Sequence, residues 1–169
     1  MLERTKESLP ELAKDVRLNL AKVLDLEQGE GLSREQILGS ALAVAHHLNN
    51  EFLIAELSEL TLDAMQKAAK LAVSLMAMTN IYYRFVHLSE NKDLAQLPAN
   101  LRMQGMLNPG VDKLSFEVLC LAVSVLNGCG ACISAHTRLL TEQGFSAQKI
   151  ARIGRIAAVI NAVHISQTL

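Results

Sequence analysis

The 169-residue sequence predicts an all-α protein, and three observations carry that reading. Ala and Leu abound, while aromatic residues make up only 4% and Trp is absent. Apolar residues recur three and four apart over long stretches, the period of one helix face. No convincing stretch alternates apolar and polar residues as a half-buried strand would.

The elements follow in order. Ser8-Leu9-Pro10-Glu11 predicts the first helix start. Ser8 is placed to cap, Pro10 is tolerated in a first turn because its missing N–H would be unpaired there, and Glu11 follows the cap by three. Leu12, Val16, Leu20 and Val23 recur at helical spacing, and Gly29 and Gly31 end the segment. Ser33 with Gln36 predicts the next start, running through Ile37, Leu38, Leu42 and Val44 towards Leu48. Asn49-Asn50 breaks the chain before a helix from Glu51 to Leu60, and another covers about 62 to 88. The stretch from 90 to 113 holds Pro98, Gly105, Pro109 and Gly110 and reads as connection with one helical turn. Ser115 begins a helix to about Leu126, Asn127-Gly128 interrupts it, a new helix carries two cysteines to about Thr141, and a last one follows Ser146.

Bulk numbers exclude several classes. One domain over 1–169 is expected from the length. Sixteen Lys and Arg oppose seventeen Asp and Glu, so no basic nucleic-acid footprint is present. No uncharged apolar stretch reaches the length of a membrane span. The start, Met1-Leu2-Glu3-Arg4-Thr5-Lys6, lacks the apolar core of a secretion signal, and a cytoplasmic setting is expected. Three cysteines do not make a structural disulfide framework.

A weak internal repeat suggests two related helical units. Leu71-Ala72-Val73-Ser74 recurs fifty residues later as Leu121-Ala122-Val123-Ser124, and Ser33 with Gln36 is echoed by Ser146 with Gln148. Read this way, the parts stand in permuted order. Thr79, Tyr82 and Val86 then fall where Cys129, Cys132 and His136 fall, so only the second copy would be active.

The chemistry concentrates in Glu117 to His136, which ends in Asn127-Gly128-Cys129-Gly130-Ala131-Cys132-Ile133-Ser134-Ala135-His136. A Cys-x-x-Cys pair opening a helix places two sulfurs within one turn, close enough to bridge. Unpaired backbone N–H groups and the positive end of the helix dipole favour thiolate there, and thiolate is the nucleophile of disulfide exchange. His136, four residues after Cys132, shares its helix face and can manage its proton. Glu117 lies ten residues before Asn127 and His136 nine after it. If the helices fold back at Asn127-Gly128, both sit about 14 Å from the turn by helical rise and face each other. The spacing predicts a Glu117–His136–Cys132 relay with Cys129 as the disulfide partner.

Other readings of these residues stand beside this one. Cys129, Cys132 and His136 could supply three zinc ligands, but no fourth lies nearby in sequence. Haem attachment needs His directly after the second cysteine, where Ile133 stands. A thioredoxin fold needs βαβ segments, and none is legible. Cys120, inside Val118 to Val123, reads as a small core residue. His46 and His47 read as ordinary surface or satisfied positions, His87 and His164 as helix-closing residues, and Tyr82 and Tyr83 as packing.

Glu117, eleven residues, Cys129-x-x-Cys132, three residues and His136 together resemble the signature of the alkyl hydroperoxide reductase D (AhpD) family, within the carboxymuconolactone decarboxylase-like superfamily. Leu9 to Asp15, Leu18-Asn19-Leu20, Asn80 to Arg84, Leu101-Arg102-Met103 and Asn108-Pro109-Gly110 resemble that family too, so the likeness spans essentially the whole chain. The resemblance implies an AhpD-like all-α domain whose active-site helical hairpin carries the cysteine pair, usually a homotrimer. It implies an antioxidant that regenerates an AhpC-type peroxiredoxin and has weak peroxidase activity on organic hydroperoxides. The electron donor it implies is dihydrolipoamide on a lipoylated acyltransferase, with the Cys129–Cys132 pair as the redox centre and no other cofactor. It makes Cys132 the attacking cysteine, Cys129 the proton donor and resolving cysteine, and Glu117 and His136 the proton relay. Some members carry His between the cysteines, where this chain has Ala131; its absence implies a lower peroxidase rate. Two alternatives remain, a zinc-holding helical oligomer and a decarboxylase-like enzyme using Glu117 and His136 as acid and base.

Overall fold

A computed structural model describes residues 1–27 and 31–169. Its helices are α1 (Glu3–Ser8), α2 (Lys14–Val23), α3 (Arg34–His47), α4 (Glu51–Leu60), α5 (Asp63–Leu88), α6 (Lys92–Gln96), α7 (Lys113–Leu126), α8 (Gly130–Glu142) and α9 (Ala147–Ser166), with 3₁₀ turns at Glu11–Ala13 and Gln104–Leu107. Among the described residues there is no strand, and no helix is long and apolar enough to cross a membrane.

Capping chemistry sets most boundaries. Ser33 and Gln36 form a reciprocal capping box that starts α3. Asn50, Asp112 and Ser146 each accept a backbone N–H at the start of α4, α7 and α9. Asp112 therefore caps α7, which starts at Lys113, two residues before the expected start at Ser115. The first helix is split. Ser8 ends α1 and donates to the Thr5 carbonyl instead of capping, and Pro10 precedes the 3₁₀ turn that leads into α2. α1 is too short and polar to show apolar periodicity. It is held by buried Leu2 and Leu9 and by Glu56, which accepts from the Thr5 amide and hydroxyl at 3.0 and 2.6 Å. The expected terminator Gly29 lies outside the described residues, while Gly31 is left-handed at φ +76°.

α3 and α7 form the centre. They pack on each other, and each also packs on α5 and α9; α2 lies on α9, α4 on α3, and α8 on α7 and α5. Residues 37–45 and 115–124 are buried without interruption, so these two helices are apolar nearly all round.

The two related units are visible in the backbone, but in sequential order. A shift of 79 residues carries Arg34–His47 onto Lys113–Leu126 and the cap Ser33 onto the cap Asp112. It also aligns Leu42-Ala43-Val44 with Leu121-Ala122-Val123. The two turns then coincide bond for bond. Leu48, Asn49 and Asn50 donate to Val44, His46 and Ala45, as Asn127, Gly128 and Cys129 donate to Val123, Val125 and Ser124. The match of Leu71–Ser74 to Leu121–Ser124, which suggested permutation, pairs helices that the backbone does not relate.

Candidate active site

The turn between α7 and α8 builds the site. Asn127 ends α7, Gly128 takes φ +61°, and Cys129 is the N-cap of α8. A Cβ on Gly128 would meet nothing within 4 Å, so glycine is favoured here for its left-handed backbone and not for space. The turn is pinned from α5. Asn80, fully buried, donates to Ser124 Oγ and accepts from Asn127 Nδ2, both at 3.0 Å. The Arg84 guanidinium donates to the Asn127 carbonyl.

Cys129 and Cys132 are joined as a disulfide with their Cα atoms 5.3 Å apart. Cys129 is fully buried and its sulfur accepts the Cys132 amide at 3.4 Å, whereas Cys132 keeps 7% of its surface. With no acidic residue in the first turn of α8, nothing there opposes the positive end of its dipole. His136 Nδ1 and Glu117 Oε2 are 2.6 Å apart, and Glu117 is only 4% exposed. An ionised carboxylate only accepts, so Nδ1 carries the hydrogen and Nε2 is the nitrogen left for proton exchange. The four residues singled out in the sequence thus lie on one hairpin, in the facing arrangement that their spacing from the turn requires.

Cys132 and His136, but not Cys129, line a cleft of about 310 Å³. The opposite walls come from Met76, Thr79 and Tyr83 of α5 and from Met103 and Met106 at the 3₁₀ turn. Ala131 also lines it, and opens onto an adjoining cavity that shares Tyr83. Tyr83 is therefore a wall residue as well as a packing partner of Tyr82, whose ring lies 5.5 Å away edge-on.

The remaining candidates separate from the site. Cys120 is fully buried, and burial, with the Glu117 charge adding to it, pushes its thiol far above the ordinary range. It stays a neutral core residue. His164 stands in the last turn of α9, as expected, and its Nδ1 lies 3.1 Å from Asn50 Nδ2. His46 differs from its expected ordinary role. Its Nε2 is buried without a hydrogen-bond partner among the described residues, and burial, then the Lys70 charge, lowers its pKa. The methionine wall, Tyr83, Asn80 and Arg84 escaped sequence reasoning as site residues. Asn80 to Arg84 and Leu101 to Met103 are distinguished in the sequence only by their resemblance to the family.

Among the described residues no three His, Cys, Asp or Glu side chains converge as a metal site would require. Residues 92–166 match the Carboxymuconolactone decarboxylase family. The chain is 50% identical to a protein of Coxiella burnetii (strain RSA 493 / Nine Mile phase I) named alkyl hydroperoxide reductase AhpD, over 96% of this chain and 94% of that one. Proteins of the same name from Bradyrhizobium sp. (strain BTAi1 / ATCC BAA-1182) and Rhodopseudomonas palustris (strain BisB18) are 46% and 44% identical, each over 98% of this chain and 92% of its own length. At that identity and coverage, with the cysteine pair set on an all-helical hairpin, the chain belongs to the alkyl hydroperoxide reductase AhpD family.

Proposed function

We propose that this protein is an antioxidant thiol–disulfide oxidoreductase that reduces organic hydroperoxides and regenerates an AhpC-type peroxiredoxin. The observation that carries this reading is the Glu117–His136 pair at 2.6 Å, with His136 and Cys132 on one cleft and Cys129 buried behind. In the reduced protein, His136 Nε2 takes the Cys132 proton. The thiolate attacks the outer oxygen of a hydroperoxide, the O–O bond breaks, and the alkoxide leaves as alcohol with a proton from the Cys129 side or from His136. Cys132 is left as a sulfenic acid. The Cys129 sulfur attacks it, the S–S bond forms and water departs. Glu117 keeps the imidazole in one tautomer and steadies its charged form.

Against a peroxiredoxin disulfide the same thiolate forms a mixed disulfide that Cys129 resolves. A dithiol of the dihydrolipoamide type, carried on a lipoylated acyltransferase, then reopens the pair, and no further cofactor is involved. Ala131 leaves the cleft without the extra histidine of some relatives, so exchange with the partner is the principal reaction and direct peroxide turnover the slower one. A cytoplasmic homotrimer fits this role, and the apolar stripe of Ile81, Phe85 and Leu88 exposed on α5 supports self-association.

The deciding experiment couples reduced lipoamide, this protein and a peroxiredoxin to peroxide consumption. Lipoamide, but not thioredoxin, is expected to drive it, and Cys132→Ser to stop it. Full activity of Cys132→Ser would end the proposal.

A further inference from the structure

Three of the six methionines, Met76, Met103 and Met106, line the cleft that Cys132 faces. Their situations differ. Met76 is 2% exposed and its sulfur is approached by Ser124 Oγ at 3.5 Å, Asn80 Nδ2 at 3.7 Å and Thr79 Oγ1 at 3.8 Å. Met103 and Met106 are half-buried on the 3₁₀ turn, and among the described residues no hydrogen bond reaches either sulfur. A flexible, polarisable thioether wall suits an apolar ligand of variable shape. It also brings oxidisable sulfur to any peroxide the cleft holds.

We propose that Met103 and Met106 form a second oxidation site, where a cleft-bound organic hydroperoxide reacts once Cys129 and Cys132 are joined. This rests on the reading that such peroxides enter the cleft. The thioether lone pair attacks the outer peroxide oxygen and the O–O bond breaks. The sulfur, oxidised by two electrons, becomes a sulfoxide, and the hydroperoxide's proton leaves on the alkoxide as alcohol. Each sulfoxide puts a strong dipole into an apolar wall and weakens the next apolar peroxide's hold. Turnover without enough reductant thereby limits itself. Met76, its sulfur already engaged, is spared.

The test maps sulfoxide by peptide mass at all six methionines of the disulfide form, treated with cumene hydroperoxide or with hydrogen peroxide. Met1, 38% exposed and outside the cleft, is the internal reference. Cumene hydroperoxide is expected to oxidise Met103 and Met106 several-fold faster than Met1, with an advantage that shrinks under hydrogen peroxide. Met76 is expected to stay reduced. Met1 leading with both oxidants, or Met76 keeping pace with Met103, overturns the proposal. In donor-limited turnover, a protein carrying Met103→Leu and Met106→Leu should hold its own starting rate several-fold longer than the natural sequence; equal decay contradicts the inference. A failure of Cys132 chemistry would appear as missing turnover in fresh reduced protein and would leave the sulfoxide map unchanged.

Discussion

The α3–α4 hairpin and the α7–α8 hairpin share one backbone and differ in what they carry. Where the first has Asn49 at φ +56°, the second has Gly128 at φ +61°. Asn50 caps α4 through its side-chain oxygen, and Cys129 caps α8 through its sulfur. Leu53 and Leu57, both fully buried, stand where Cys132 and His136 stand, and Leu38 where Glu117 stands. Burial agrees position for position from 46–55 to 125–134, so one packing scheme serves both. One hairpin backbone thus carries two different sets of side chains, and the four residues of the proposed chemistry, Glu117, Cys129, Cys132 and His136, stand where the first hairpin has Leu38, Asn50, Leu53 and Leu57. The shared turn also places the second sulfur at a buried position, which Leu53 occupies in the first hairpin.

The largest expected effect removes what is special to the second hairpin. Glu117→Gln keeps the shape but not the charge facing His136, and peroxide turnover should fall about 10²-fold, the lower range for losing a proton-transfer partner. Because the carboxylate acts through the imidazole, the pH profile of turnover should shift as well. An unchanged profile would make Glu117 merely structural. Second, Asn80→Leu strips the support that α5 gives the active turn and leaves Ser124 Oγ and Asn127 Nδ2 without that partner. A loss of about 2 kcal/mol in urea unfolding is expected. Third, Gly128→Ala asks whether the active turn tolerates a side chain at φ +61°, as Asn49 does in its twin. With open space around the Cβ, only backbone strain of about 1 kcal/mol should register.

The smallest effect belongs to the first hairpin. His46 has its pKa lowered by burial and then by Lys70, from an ordinary 6.5. Between the folded value and 6.5 the unfolded chain binds more protons, so stability present above 6.5 is lost as pH falls below it. Urea midpoints at about pH 7.5 and about pH 5.5 should therefore diverge less in His46→Gln than in the natural sequence. An equal divergence would assign the pH dependence to other groups.

Much of this comparison was legible in the sequence. Ser33 with Gln36, Asn49-Asn50 and Ser146 marked helix starts because capping is local chemistry. Nearly equal distances of Glu117 and His136 from Asn127, ten and nine residues, sufficed to set them facing, because helical rise is fixed. The order of the repeat was not legible, since Leu-Ala-Val-Ser is a helix commonplace and only the turn's hydrogen bonds show which helices correspond. Nor was the cleft wall. Met103 and Met106 sit in a connection without periodicity, and Gly105 lies against Leu71 by tertiary packing alone. α1 escaped because its anchor, Glu56, lies on a different helix.

The central claim is that the two sulfurs of the second hairpin open and close around the peroxide oxygen. One measurement addresses it directly. The fully reduced protein, treated without oxygen with one equivalent of cumene hydroperoxide, should lose two thiols per alcohol formed. Mass mapping should find Cys129 joined to Cys132 and Cys120 still free. Alcohol formed while Cys129 and Cys132 remain open to alkylation would contradict the account.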